Sequence, residues 1–240
     1  MPFHSGGGGM KKKIYVSFFL IFTLFLVQTV SASSALRVQS ITDEINEPQL
    51  KFKSNRPYIQ GLNDENKRQK LNVQFKEKSE TTQRTAQYAA KLLAGTSAAV
   101  DASFDYTVRR NQDGILSIVM NERITAGSEK GMNVQSAMII DTISGKFYKL
   151  QDFFKPKADY TATISDEIKR QMKQKGLDKK LLTEFKQIKH DEDFYITDNK
   201  LVIFFQQYEY LPYECGITEF EIPLKSLDGI LKPEYTVGLH

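Results

Sequence analysis

The chain has 240 residues, 40% of them hydrophobic, with 33 Lys and Arg against 29 Asp and Glu and a formal net charge of +4. Three of the positive charges, Lys11, Lys12 and Lys13, sit in a leader-like N-terminus, so the remainder carries +1 and has no general attraction for nucleic acid or anionic lipid. The only cysteine, Cys215, excludes an intramolecular disulfide, and a fold outside the cytoplasm must then rest on its core.

In chain order, the lysine cluster precedes an apolar run from Ile14 to Val27, and Val30-Ser31-Ala32 offers small residues where a signal peptidase reads them. Basic, apolar, then small residues predict a secretory signal peptide over 1–32, with cleavage after Ala32 leaving 208 residues. The run is shorter than the roughly 20 apolar residues of a bilayer-spanning helix. An uncleaved anchor is the rival reading, and the only membrane attachment the sequence offers. Residues 1–9, MPFHSGGGG, fit no part of a signal, and initiation at Met10 would account for them.

Residues 33–98 read as lead-in strands and a long helix. Leu36 and Val38 alternate with polar neighbours, as do Leu50 and Phe52, and Arg56-Pro57 is expected to interrupt them. Asn63 is the expected N-cap, with Asp64 and Glu65 at the positive end of the helix dipole. Leu71, Phe75, Ser79, Thr82, Ala86, Ala89 and Leu93 draw one buried stripe, weak in its middle, and Gly95 is the expected stop.

Residues 99–231 read as a sheet-and-helix binding domain packed with the preceding part as one unit, and 232–240 as a tail. Ala102, Phe104, Tyr106 and Val108 alternate with polar residues; Asn111-Gln112-Asp113-Gly114 is turn chemistry; Ile115 to Ile124 returns as a second strand. Val134 to Asp141 is a third strand and Phe147 to Leu150 a fourth, joined by a turn over 143–146. A second helix is predicted over 159–175, and Leu181, Phe185 and Ile188 suggest a short helical piece. Phe194 to Ile196, Leu201 to Phe205 and Ile217 to Ile222 complete the strands. The expected class is α+β, an antiparallel sheet with two main helices packed on one face.

Few residues fit catalysis or metal binding. The exported part has two histidines, His190 and His240, and nothing clusters as a zinc site would; no metal and no cofactor is expected. Cys215 and His190 are the one conceivable nucleophile–base pair and carry the alternative reading, a small extracellular hydrolase. The tip Gly127 to Gly131 lacks the spacing of a phosphate loop, and its Ser128, Glu129 and Lys130 read as an exposed contact. The stretch QYEYLPYECGITEF, between two buried strands, holds Tyr208, Tyr210, Pro212 and Tyr213. These four cap the core edge or form a rigid amphipathic binding patch, and both readings stand. Leu211 and Cys215 are expected to face inward.

Four segments taken together, PYIQGLNDENKRQKLN, YTVRRNQDGILSI, IIDTISGKFYKLQDFF and DFYITDNKLVIFFQQYEYLPYECGITEFEIPLKSL, resemble one family. Over residues 50–230 the chain is similar to the extracellular domain of lysozyme-sensing anti-sigma-V factors of the RsiV type. The non-catalytic N-terminal region of peptidoglycan deacetylases of the PdaC type has the same arrangement. The resemblance implies a non-enzymatic binding domain, secreted or on the extracellular face of a bacterial envelope, whose partner is a lysozyme-like protein or the cell-wall glycan. Neither a sigma-binding part nor a deacetylase domain is expected in the chain. Where the resemblance implies a glycine–histidine pattern after the second strand, the chain has AGSEKGMN.

Overall fold

The computed structural model describes Met1, residues 35–127 and residues 130–235. Residues 2–32 of the leader, with its lysines and its cleavage site, lie outside the described residues, as do Ser128, Glu129 and His240.

Two sheets carry the fold. The larger runs in the order β1 (Arg37–Glu47), β2 (Leu50–Gln60), β3 (Val100–Gln112), β4 (Ile115–Ala126) and β5 (Met132–Asp141). The smaller runs β6 (Phe194–Ile196), β7 (Lys200–Phe205) and β8 (Thr218–Pro223). All neighbours are antiparallel except β2 and β3, whose connection is the 28-residue helix α1 (Glu65–Leu92), long enough to bring the chain back in the same direction. The second helix is α2 (Tyr160–Gln174). The α+β class read from the sequence is the class observed.

The burial pattern shows how the layers stack. Six consecutive residues of β4, Ile115 to Met120, are buried, so both faces of this strand are covered. Leu116, Ile118 and Met120 join Phe52, Phe104, Leu71 and Phe75 under α1. On the other face Val119 packs with Val202 and Phe204 of β7. The alternate residues of β7, Leu201, Ile203 and Phe205, meet Ile164, Ile168 and Met172 of α2. The order through the molecule is α1, five strands, three strands, α2. Where periodicity implied one sheet with both helices on one face, the strands divide into two sheets, and each helix covers its own.

The stripe of α1 is buried at Leu71, Phe75, Ser79, Thr82 and Ala86, and its weak middle has a cause. The Ser79 hydroxyl pairs with that of Ser54 at 2.6 Å, and the Thr82 hydroxyl donates to Glu122 Oε2 at 2.6 Å. Small polar side chains let the helix lie close to the sheet while their own polar atoms stay satisfied. The cap is Asp64 rather than Asn63, because its carboxylate accepts from Lys67 N at 3.0 Å. The β3–β4 hairpin turns where predicted, with Asp113 and Gly114 at φ of 51° and 78°, the left-handed pair such a tight turn requires.

Three local expectations are corrected. Pro57 does not interrupt β2: pairing to β3 stops at Ser54, so beyond it β2 has one neighbour and tolerates a residue without an N–H. Residues 147–150 are not a strand. Phe147 makes a single bridge to Ile140, then Asp152 accepts from Lys149 N at 2.9 Å and winds Leu150–Phe153 into a 3-10 turn. The apolar spacing of Leu181, Phe185 and Ile188 belongs to an irregular strap, not a helix. Leu182 N donates to Tyr210 O and Ile188 N to Ser165 Oγ, bonds that draw the backbone outward to other elements.

Candidate functional site

The loop from Gln206 to Gly216 leaves β7 and runs along the free edge of β5. An edge strand turns the N–H and C=O groups of alternate residues outward. The loop's side chains meet them. Gln206 clasps Gln135 from both sides, accepting from its N at 3.1 Å and donating to its O at 2.8 Å. Gln207 Oε1 accepts from Asn133 N at 2.6 Å, and the Tyr213 hydroxyl donates to Gly131 O at 2.8 Å. Gly131 is fixed by space: a Cβ there would collide with the Thr125 hydroxyl.

Between these anchors stands Tyr208. It is 55% exposed, and its φ of 64° is left-handed, strained for a residue with a Cβ. The surrounding bonds hold that strain. Glu209 accepts from Gln206 N and from Lys189 Nζ, each at 3.0 Å. Gln206 Nε2 also donates to Asp193 Oδ2 at 3.0 Å. Burial pushes the carboxyl of the neighbouring Glu192 up, and its Oε2 accepts from Lys189 N at 2.9 Å.

Tyr208 and Tyr213 lie with ring centroids 5.9 Å apart and planes at 43°. Lys130 Nζ sits 5.1 Å from the Tyr213 ring centre and 3.5 Å from Glu214 Oε1. Pro212 leads into the 3-10 turn Tyr213–Cys215. Of the residues singled out in the sequence, the structure thus brings together Tyr208, Pro212, Tyr213 and Lys130. Ser128 and Glu129 lie outside the described residues.

Tyr210 is placed differently from its neighbours: half-buried, its ring packs 4.6 Å from Phe205 and 5.3 Å from Phe185 at the core edge. Leu211 is buried as expected, whereas Cys215 is half-buried in the turn. The anchoring residues Gln206, Gln207 and Glu209 were missed. Their signal was the pair of glutamines directly after the apolar run Leu201 to Phe205.

Cys215 and His190 engage different parts of the fold. His190 is exposed with Nδ1 3.0 Å from the Tyr160 hydroxyl at the start of α2, while Cys215 lies in the turn whose Tyr213 reaches Gly131. Among the described residues, no three His, Cys, Asp or Glu side chains are grouped to hold a metal, and no helix is long and apolar enough to cross a membrane.

Comparison with known proteins agrees with this geometry. Residues 151–225, which contain α2, the small sheet and the tyrosine loop, match the family described as "Protein of unknown function (DUF3298)". A DUF3298 protein from Bacteroides fragilis superposes with a TM-score of 0.67 at 17% identity, covering 86% of this chain and 98% of its own. A second, from Pseudomonas aeruginosa PAO1, gives 0.62 at 18% identity, covering 85% and 97%. Both likenesses show the fold. The anti-sigma-V factor RsiV of Bacillus subtilis (strain 168) is 30% identical over a 212-residue alignment that covers 83% of this chain and 71% of that protein. Identity of that extent places the chain in the family of the anti-sigma-V factor RsiV.

Proposed function

We propose that the chain is an exported binding module of the bacterial envelope, that residues 33–98 and 99–231 work as one unit in it, and that its partner is a lysozyme-like protein. The leader-like segment 1–32 supports export, and the relative's name supports a regulatory rather than catalytic role. The observation that carries the reading is Tyr208. A large side chain is more than half exposed on strained backbone, directly after two glutamines bonded to a sheet edge. A tyrosine held ready in this way loses little conformational freedom on binding, and protein contacts use such anchors. Tyr213, whose ring lies 5.9 Å from that of Tyr208, and Lys130 beside it widen the anchor into an aromatic surface, or platform, of the kind protein contacts use.

Calorimetric titration of the exported protein with lysozyme tests this. Tyr208→Ala combined with Tyr213→Ala should weaken binding by about 2–4 kcal/mol, the range for central aromatic anchors. Thermal unfolding should stay close to that of the parent, and Tyr213→Phe separates loss of the Gly131 bond from loss of the ring. Unchanged affinity in the double variant, or retention on purified peptidoglycan without lysozyme binding, would overturn the protein-partner reading.

A further inference from the structure

A cleft of about 350 Å³ lies between the middle of β5 and the segment leading into β6. It is lined by residues 137–139, 147–150 and 191–194. Two strand edges form its walls. Along β5 the outward backbone groups belong to odd-numbered residues. Asn133 and Gln135 are met by glutamine side chains, Ile139 O accepts from Tyr148 N, and Asp141 N donates to Lys146 O. The alternation turns the N–H and C=O of Ala137 to the same edge, in the middle of this row. On the opposite wall Asp193 O accepts from Phe204 N and Thr197 N donates to Lys200 O, so odd residues face β7. Phe194 therefore turns its N–H and C=O the other way, as Ile196 does on reaching Ser117 Oγ. Among the described residues, no side chain bonds to the backbone of Ala137 or Phe194.

We infer that this cleft binds a single amide group, and that its ligand is the acetamido group of an N-acetylated amino sugar. The edge is occupied on both sides, by Gln206 at Gln135 and by Tyr148 at Ile139, so an added peptide strand has nowhere to continue. Each wall keeps one N–H and one C=O clear of side chains, and a single amide spanning the cleft would use a C=O of one wall and an N–H of the other. Ala137 and Met138, both partly exposed on the lining, supply apolar surface for its methyl group. Phe147, 41% exposed on the lining, offers a flat face for the sugar ring, and the exposed Asp191 offers an acceptor for hydroxyls. Of the three carboxylates on the lining, Glu192 accepts from Lys189 N and Asp193 from Gln206 Nε2, which leaves Asp191 to meet the sugar hydroxyls. The inference does not depend on the tyrosine platform.

The test is a titration of the ¹⁵N-labelled protein with N-acetylglucosamine, glucosamine and glucose, followed by NMR. Saturable shifts are expected at the amides of Ala137, Phe147 and Phe194, with glucosamine and glucose weaker by about tenfold, the loss of one good polar contact. Phe147→Ala, at an exposed side chain, should weaken the acetylated sugar by a similar factor while lysozyme titration is unchanged. Absent shifts, shifts centred on Tyr208 and Tyr213, or glucosamine binding as tightly as its acetylated form would each overturn the assignment.

Discussion

The two edges of the five-stranded sheet are protected differently. On β5 the outward groups to either side of Ala137 are met, by Tyr213, Gln207 and Gln206 on one side and by Tyr148 and Lys146 on the other. On β1 only the approach is clasped, where the Asn111 side chain accepts from Leu36 N at 2.9 Å and donates to Leu36 O at 2.7 Å. Further along, β1 presents exposed Asp43, Glu44 and Glu47, charges that discourage strand addition. A charged edge protects itself and presents nothing. A capped edge fixes whatever caps it, and on β5 that is the loop carrying Tyr208.

Removing the central cap should have the largest effect. Gln206→Ala strands the N–H and C=O of the buried Gln135 and releases Asp193, so a loss of about 1–3 kcal/mol is expected, the cost of an unmet buried polar group. A shift of the urea midpoint at constant slope measures it. The same variant should also weaken lysozyme binding, because Tyr208 loses the anchor on its N-terminal side. Stability lost with full affinity retained would mean that the cap serves the edge and not the loop.

The matching change on the other edge is milder. Asn111→Ala removes a clasp that is only partly buried, so about 1 kcal/mol is expected. Faster amide exchange should appear at the start of β1 and leave the loop untouched, and lysozyme affinity should hold. If affinity fell as far as in Gln206→Ala, the two edges would be energetically coupled and the contrast between them would fail.

These clasps show where sequence reading succeeds and where it stops. Apolar spacing located α1, α2, the β3–β4 hairpin and β7, because each buries a regular face and repeats in register with its own geometry. Spacing alone does not separate an apolar strap from a helix, hence Phe185 and Ile188. It does not say which strands share a sheet, because Val119 and Val202 look alike on either side of an interface between two sheets. Asn72 on Ile59, Asn111 on Leu36 and Gln206 on Gln135 each pair with both the N–H and C=O of one distant residue. Three polar side chains that read as surface thus hold strand edges. Among the tyrosines composition pointed to a patch, but Tyr208 and Tyr210 differ only in which way the turn aims them, and the left-handed backbone at Tyr208 decides that.

The smallest effect should come from the rim of the platform. Lys130 and Glu214 are both 69% exposed at 3.5 Å, and pairs of this kind contribute about 0–1 kcal/mol. The contact of Lys130 with the Tyr213 face adds a similar small amount. Lys130→Ala should therefore leave the unfolding midpoint almost where it was. Its influence belongs to encounter, because a rim charge acts on an approaching partner before desolvation begins. Stopped-flow mixing with lysozyme at low salt should show an altered association rate and an almost constant dissociation rate. The difference should disappear near 1 M salt, where the screening length is about 3 Å. The sign of the change reads the charge of the surface that meets the platform: slower association means an acidic one, faster association a basic one. An effect confined to dissociation would place Lys130 inside the contact, and the division between an anchored aromatic centre and a steering rim would have to be redrawn.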